Sequence, residues 1–245
     1  MKKHIPFLAL IIIFSSCSEL NLGALEEIIE APETPSMLSE AEVGNGLKEA
    51  LLQGVGRSVS SASSTDGFYK NPLLFIAFPQ EANVVKEKAL SLGLNAQVNQ
   101  FEMTLNRAAE EASKSAGPIF NKAVQTMTIE DAFSILNGGE TAATDFLKRN
   151  TTAELTKSFT PKVADAINKV ELTKQWQPLV SKYNMTTLLT DKEPVEEDLT
   201  AYITEKAIDG LFVHIAAEEK LIRKDPKARA SELLERVFGS VQPEN

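Results

Sequence analysis

The chain has 245 residues, 43% of them hydrophobic, with 25 Lys and Arg against 34 Asp and Glu, a net charge of −9. That length and apolar share suit one globular domain with a sizeable core. So acidic a chain lacks the clustered cations that nucleic acid or an anionic lipid surface rewards, and its single cysteine, Cys17, excludes an internal disulfide and a multi-thiolate metal site.

The first seventeen residues read as an address. Lys2 and Lys3 supply a positive start, Pro6 to Phe14 an apolar run, and Ser15 and Ser16 small residues before Cys17. A spanning helix needs about 20 apolar residues; this run is roughly half that, the length of a signal-peptide core. The pattern predicts a bacterial lipoprotein signal over residues 1–16, cut before Cys17, whose thiol then carries palmitate or a related acyl group. Simple secretion and an uncleaved anchor are the alternatives. Phe14 stands where such signals usually carry leucine. Ser18 follows the cysteine where an aspartate would favour retention at the inner membrane, so the expected place is the outer membrane, facing the periplasm. Cleavage removes Lys2 and Lys3, leaving 23 basic against 34 acidic residues and a net charge of −11.

Residues 17–37 are acidic, carry Pro32 and Pro35, and are expected to be a lipidated tether, with a short helix near Leu25 to Glu30 as an option. A helical domain is expected over 38–240, with a disordered tail at 241–245. Ser39 and Glu42 form a capping box, and Leu38 and Val43 sit as a hydrophobic staple. The helix they open carries Val43, Leu47, Leu51, Val55 and Val59 at helical spacing and ends in the serine-rich stretch from Ser58 to Thr65. Asp66-Gly67-Phe68-Tyr69 reads as a turn. Residues 73–78 (LLFIAF) are the one place where an extended segment competes with helix.

Beyond it the pattern is helical. Pro79 suits a helix start and Gly93 a stop. A helix over 96–116 carries Val98, Phe101, Leu105, Ala109, Ala112 and Ala116 on one stripe, and Gly117-Pro118 breaks it. Thr128 with Asp131 predicts another start, ending at Gly138-Gly139. Thr151 with Glu154, and Thr160 with Pro161, predict two more. A helix near 172–183 holds Trp176, with Pro178 expected to bend it; a polar loop follows to about Pro194. The last long helix is expected over 196–224, and a final one ends at Gly239. The predicted fold class is mainly α, a compact single-domain multi-helix bundle.

Several phrases carry a family resemblance: Gly46-Leu47-Lys48-Glu49-Ala50-Leu51, Asp66-Gly67-Phe68-Tyr69, Asn106-Arg107-Ala108-Ala109-Glu110, Met127-Thr128 with Asp131-Ala132, Ala142-Ala143-Thr144, Phe159-x-Pro161-x-Val163, Gly210-Leu211-Phe212 and Glu218-Glu219-x-x-Ile222-Arg223. Together, over residues 38 to 239, they resemble the domain-of-unknown-function 4197 family of exported bacterial proteins and lipoproteins. The resemblance implies a helical domain at the cell envelope and no assigned activity.

Candidate chemistry centres on the last long helix. At about 100° per residue, Leu211, Ile215 and Ile222 mark an apolar line near which Glu218 falls, so its carboxylate is expected to point inward. Glu219 is expected on the flank, paired with Arg223 four residues on. His214 lies one turn before Glu218 and is the only histidine left after cleavage. An inward carboxylate needs a partner or a proton, which leaves two readings for Glu218: a general acid/base or ligand contact, or a structural pair with an arginine or with His214. Two ligands, His214 and Glu218, make a poor metal site. Arg107 and Glu110 lie opposite the Leu105 stripe. Either that face is solvated, or another helix covers it and Arg107 meets Glu218 in a shared polar core.

Asp66, Tyr69 and Asn71 fit turn chemistry or a pocket mouth. Trp176 and Tyr183 fit the core or a ligand platform. No nucleophile elbow, zinc-protease helix or phosphate loop is present, and no cofactor is expected. A membrane-anchored module binding an unknown envelope protein or small ligand is the first reading. A carboxylate-based hydrolase-like enzyme using Glu218 and Glu110, or a carrier of an apolar ligand, are the alternatives.

Overall fold

A computed structural model describes residues 38–169, 172–187, 194–195, 198–225 and 235–237. The signal, Cys17, the tether, most of the polar loop, most of the final helix and the tail lie outside the described residues. The helices whose bounds lie among the described residues are α1 (Glu40–Ser63), α2 (Asn83–Ser91), α3 (Asn95–Ser113), α4 (Ala116–Gln125), α5 (Ile129–Leu136), α6 (Ala142–Lys169), α7 (Leu172–Thr187) and α8 (Leu199–Lys224). No strand occurs among the described residues, and none of their helices is long and apolar enough to cross a membrane.

Where a helix end carries its own cap chemistry, the expected boundary holds. Ser39 caps α1, and Glu42 reaches back to the Ser39 N–H at 2.8 Å. Thr128 and Asp131 make the same reciprocal pair at α5. Gly93, at φ +78°, ends α2: the Leu94 N–H reaches the Ala89 carbonyl at 3.0 Å and the Gly93 N–H that of Leu90, the six-to-one and five-to-two bonds of a Schellman turn.

The starts expected at Thr151 and Thr160 are not there. Both lie inside the single 28-residue helix α6. Their hydroxyls do not cap amides ahead of them but donate backwards, Thr151 to the Leu147 carbonyl at 2.7 Å and Thr160 to that of Thr156 at 2.8 Å. Pro161 sits on an exposed face, as does Lys157, whose carbonyl loses a donor there. The helix therefore runs through. Likewise α4 begins at Ala116, before Gly117-Pro118, with the proline in its first turn.

Between α1 and the short 3₁₀ turn Gln80–Ala82, the chain is neither helix nor strand. Burial alternates along it: Leu74, Ile76 and Phe78 are buried, while Phe75 and Ala77 are exposed. That period of two is an extended segment without a neighbouring strand.

Helices α1, α3, α6 and α8 form the centre, with α4 and α5 against α1 and α6, and α2 and α7 at one margin. Helices α1 and α8 run antiparallel: Gly54 faces Ile222, Arg57 faces Glu218 and Ser58 faces His214. One apolar cluster joins Leu47, Val55, Phe68, Leu105, Phe120, Leu147, Phe159, Ile203 and Leu211. At about 1.5–3 kcal/mol per large apolar side chain, this burial dominates stability. Trp176 is core, packed between Phe101 (ring centroids 5.0 Å) and Phe78 (5.7 Å).

Candidate functional site

The polar residues of the phrases quoted above meet each other in pairs. Glu110, near the end of α3, is buried (4% exposed), and its Oε1 accepts the backbone N–H groups of Phe68 at 3.1 Å and Tyr69 at 3.2 Å. Its Oε2 accepts from Arg107 at 2.6 Å, and the other arm of that guanidinium bonds Asp66. Asp66 is in the left-handed region at φ 68°. Lys70 first, then Arg107, hold its carboxyl below the usual aspartate range. A Cβ on Gly67 would collide with the Ser61 carbonyl oxygen, so only glycine lets the turn press against the end of α1. Phe68 then enters the core against Gly210 of α8, where an added Cβ would stand 2.8 Å from its ring.

One turn earlier on α3, the buried Asn106 treats Ile76 as a strand would. Its Oδ1 accepts the Ile76 N–H at 2.8 Å, and its Nδ2 donates to the Ile76 carbonyl at 2.9 Å. Asn184 clamps Val195 by the same two bonds, at 2.8 and 2.9 Å. The face of α3 opposite Leu105 is thus covered, but by the 66–78 segment and not by a helix. Arg107 consequently meets Asp66 and Glu110, and the expected core with Glu218 does not form.

The second pairing joins α8 to α5 and α6. Glu219, 7% exposed, accepts the N–H of Ala143 at 3.0 Å, the N–H of Thr144 at 2.9 Å and the Thr144 hydroxyl at 2.7 Å. Arg223 donates to Glu219 at 2.9 and 3.0 Å and to the Ile135 carbonyl at 2.8 Å. The carboxylate sits at the start of α6 and the guanidinium at the end of α5, each on the helix end whose partial charge attracts it. The start of α6 is thus capped from 75 residues away.

This corrects the expected register. Glu219 is the inward carboxylate, and Glu218 is half-buried, with Oε2 bonded to Arg57 of α1 at 2.7 Å. The covered arc of α8 is broader than the Leu211, Ile215 and Ile222 line: Phe212 is buried on one flank and Ile203 and Ala207 on the other, so Glu219, beside Phe212, is covered as well. The 219–223 pairing is as the spacing implies. His214 shares a 3.2 Å hydrogen bond between Nδ1 and Ser58 Oγ. Ser58, which sequence reasoning passed over, resembles a nucleophile beside its base, but it is wholly buried and no substrate can reach its oxygen.

Open volume lies elsewhere. The cavity touching Glu219 and Arg223 is about 30 Å³, walled by Leu47, Gly54, Ile215 and Ile222, room for about one or two waters and no substrate. No cluster of three metal-ligating side chains occurs among the described residues. A groove of about 270 Å³ lies between α2 and α7, with Val84, Val85, Leu92, Leu94, Lys88 and Tyr183 on its walls. Tyr183 therefore packs on the edge of the core and lines the groove, whereas Trp176 is fully enclosed. Asp66, Tyr69 and Asn71 do turn work: Asn71 Oδ1 accepts the Leu73 N–H at 3.0 Å, and Arg107 lies over the Tyr69 ring.

Comparison with curated proteins and with solved structures finds no match. A family profile does match, over residues 37–239, spanning every latch just described. The chain belongs to the DUF4197 family, proteins of unknown function.

Proposed function

We propose that the chain is a non-catalytic helical module of the cell envelope, anchored through lipid on Cys17 at the outer membrane and binding a protein or small ligand in the periplasm. The observation that carries this reading is the engagement of the ionisable groups. Glu110, Arg107 and Asp66 hold one another and the 68–69 backbone, Glu219 and Arg223 join three helices, and Glu218 is closed by Arg57. A general acid or base must face open volume that a substrate can enter, and the cavity beside Glu219 is too small for one. The hydrolase alternative, which relied on Glu218 and Glu110, loses its main support. The N-terminal pattern of Lys2, Lys3, the apolar run and Cys17 supports the anchor.

Two measurements test the reading. Labelled palmitate is expected to enter the wild-type chain and not Cys17→Ser, which leaves the membrane fraction. Across a panel of ester, peptide and glycoside substrates the purified chain is expected to be inert. Turnover abolished by Glu110→Gln or Glu218→Gln in a still-folded protein overturns the reading.

A further inference from the structure

Helix α2 has nine residues, none of them buried, yet it carries Val84, Val85, Ala89 and Leu90 and continues into Leu92 and Leu94. Leu92 is 64% exposed and Val84 44%. At helical spacing Val84, Lys88, Leu92 and Val85 share one face, and that face walls the groove opposite Tyr183. Lys86, off this face, is bonded to Glu102 of α3 at 2.6 Å. Lys88 is the one charged group on the groove wall, and among the described residues it makes no ion pair.

We propose that this groove binds a single-chain carboxylate amphiphile, a fatty acid taken from solution, with its alkyl chain along the apolar walls and its carboxylate on the Lys88 ammonium. The proposal rests on the reading of the chain as a binding module and gives that module a ligand class. Three features select this occupant. The volume, about 270 Å³, falls just under the range of about 300–1,000 Å³ that holds drug-sized ligands, so it suits one chain. The groove is open along one side, so a carboxylate held at its rim stays hydrated while the methylenes leave water. Finally, a lone cation on an apolar wall, in a chain of net charge −9, is complementary to an anionic head and to no other charge.

Calorimetric titration of the purified full chain with decanoate, dodecanoate and the neutral analogue decanol tests this. The expected result is saturable one-to-one binding, tighter for dodecanoate by up to about fourfold per buried methylene. Lys88→Glu should weaken decanoate about fivefold and leave decanol unchanged. Leu92→Asp should abolish both, with thermal unfolding of each variant like that of wild type, since both side chains are exposed. No saturable binding, or binding indifferent to both substitutions, overturns the proposal. A photo-crosslinker placed at position 92 in the native envelope separates the two levels of failure. Joining to a second copy or a defined protein, without fatty-acid binding, overturns the ligand class and leaves the module reading standing. Neither binding nor crosslinking overturns both.

Discussion

Two adjacent glutamates with opposite fates make the sharpest test of the packing. Glu219→Ala removes the acceptor for two backbone N–H groups and one hydroxyl at the start of α6 and leaves Arg223, whose side chain is 15% exposed, without its carboxylate. Loss of an N-terminal cap costs about 1 kcal/mol, and breaking a buried ion pair costs about 3–5 kcal/mol. Arg223 keeps its bond to the Ile135 carbonyl, so the expected total is near the lower figure, about 3–4 kcal/mol. That is a large share of the about 5–15 kcal/mol that holds a domain folded. Glu218→Ala, by contrast, removes a pair whose side chains are 43% and 18% exposed, worth about 0.2–1 kcal/mol. Urea unfolding followed by circular dichroism measures both. The double variant Glu219→Ala with Arg223→Leu should recover about 1–3 kcal/mol relative to the sum of the singles, because the stranded charge is gone. A larger loss at Glu218 than at Glu219 refutes the register on which the second latch depends.

Three further outcomes follow from the same geometry. Asn106→Ala strands the N–H and carbonyl of Ile76 and should cost about 2–4 kcal/mol at about 1–3 kcal/mol per orphaned buried group, while thermal melts of Asn71→Ala move little. Gly210→Ala places a methyl 2.8 Å from the Phe68 ring and should cost about 1–3 kcal/mol by overpacking, partly restored by Phe68→Leu in the same unfolding assay. Acid titration should show stability falling below about pH 4. Asp66, Asp131, Glu42 and Glu140 all titrate below their ordinary values of 3.8 and 4.5 in the fold, so each stabilises it above those values. That stability is lost as pH falls through the lowered values, and Asp66→Asn should flatten part of the slope.

Legibility from sequence tracked the range of the interaction. The starts of α1 and α5 and the stop of α2 could be read because Ser39 with Glu42, Thr128 with Asp131, and Gly93 complete their bonds within a few residues. The start of α6 could not, because its cap is a side chain on α8. The same Thr-x-x-Glu spelling that suggests a cap at Thr151 is mid-helix, since a threonine hydroxyl can equally donate to the carbonyl four residues back. Glu110 and Arg107 were recognisable as a polar face, but the segment covering it arrives from 40 residues upstream through Asn106 and the Gly67 turn. Glu218 reads as the inward carboxylate because the line through Leu211, Ile215 and Ile222 does not show that the Phe212 flank, which carries Glu219, is covered by α6. Arg57 of α1 meets Glu218 nearer the surface. The α2–α7 groove had no local signal beyond a short helix of which only Val85 and Ala89 pack on the core, while Val84, Leu90 and Leu92 stay exposed.

The central claim is that Glu110, Asn106 and Glu219 use their side chains to hold backbone in place. Residue-resolved amide hydrogen exchange tests it most directly, because Phe68, Tyr69 and Ile76 lie outside every helix and owe their hydrogen bonds to side chains of α3. The account predicts slow exchange at these three amides in the wild-type chain. Glu110→Ala should expose Phe68 and Tyr69 alone, and Asn106→Ala should expose Ile76. Fast exchange at all three in the wild type, or protection that survives both substitutions, would contradict it.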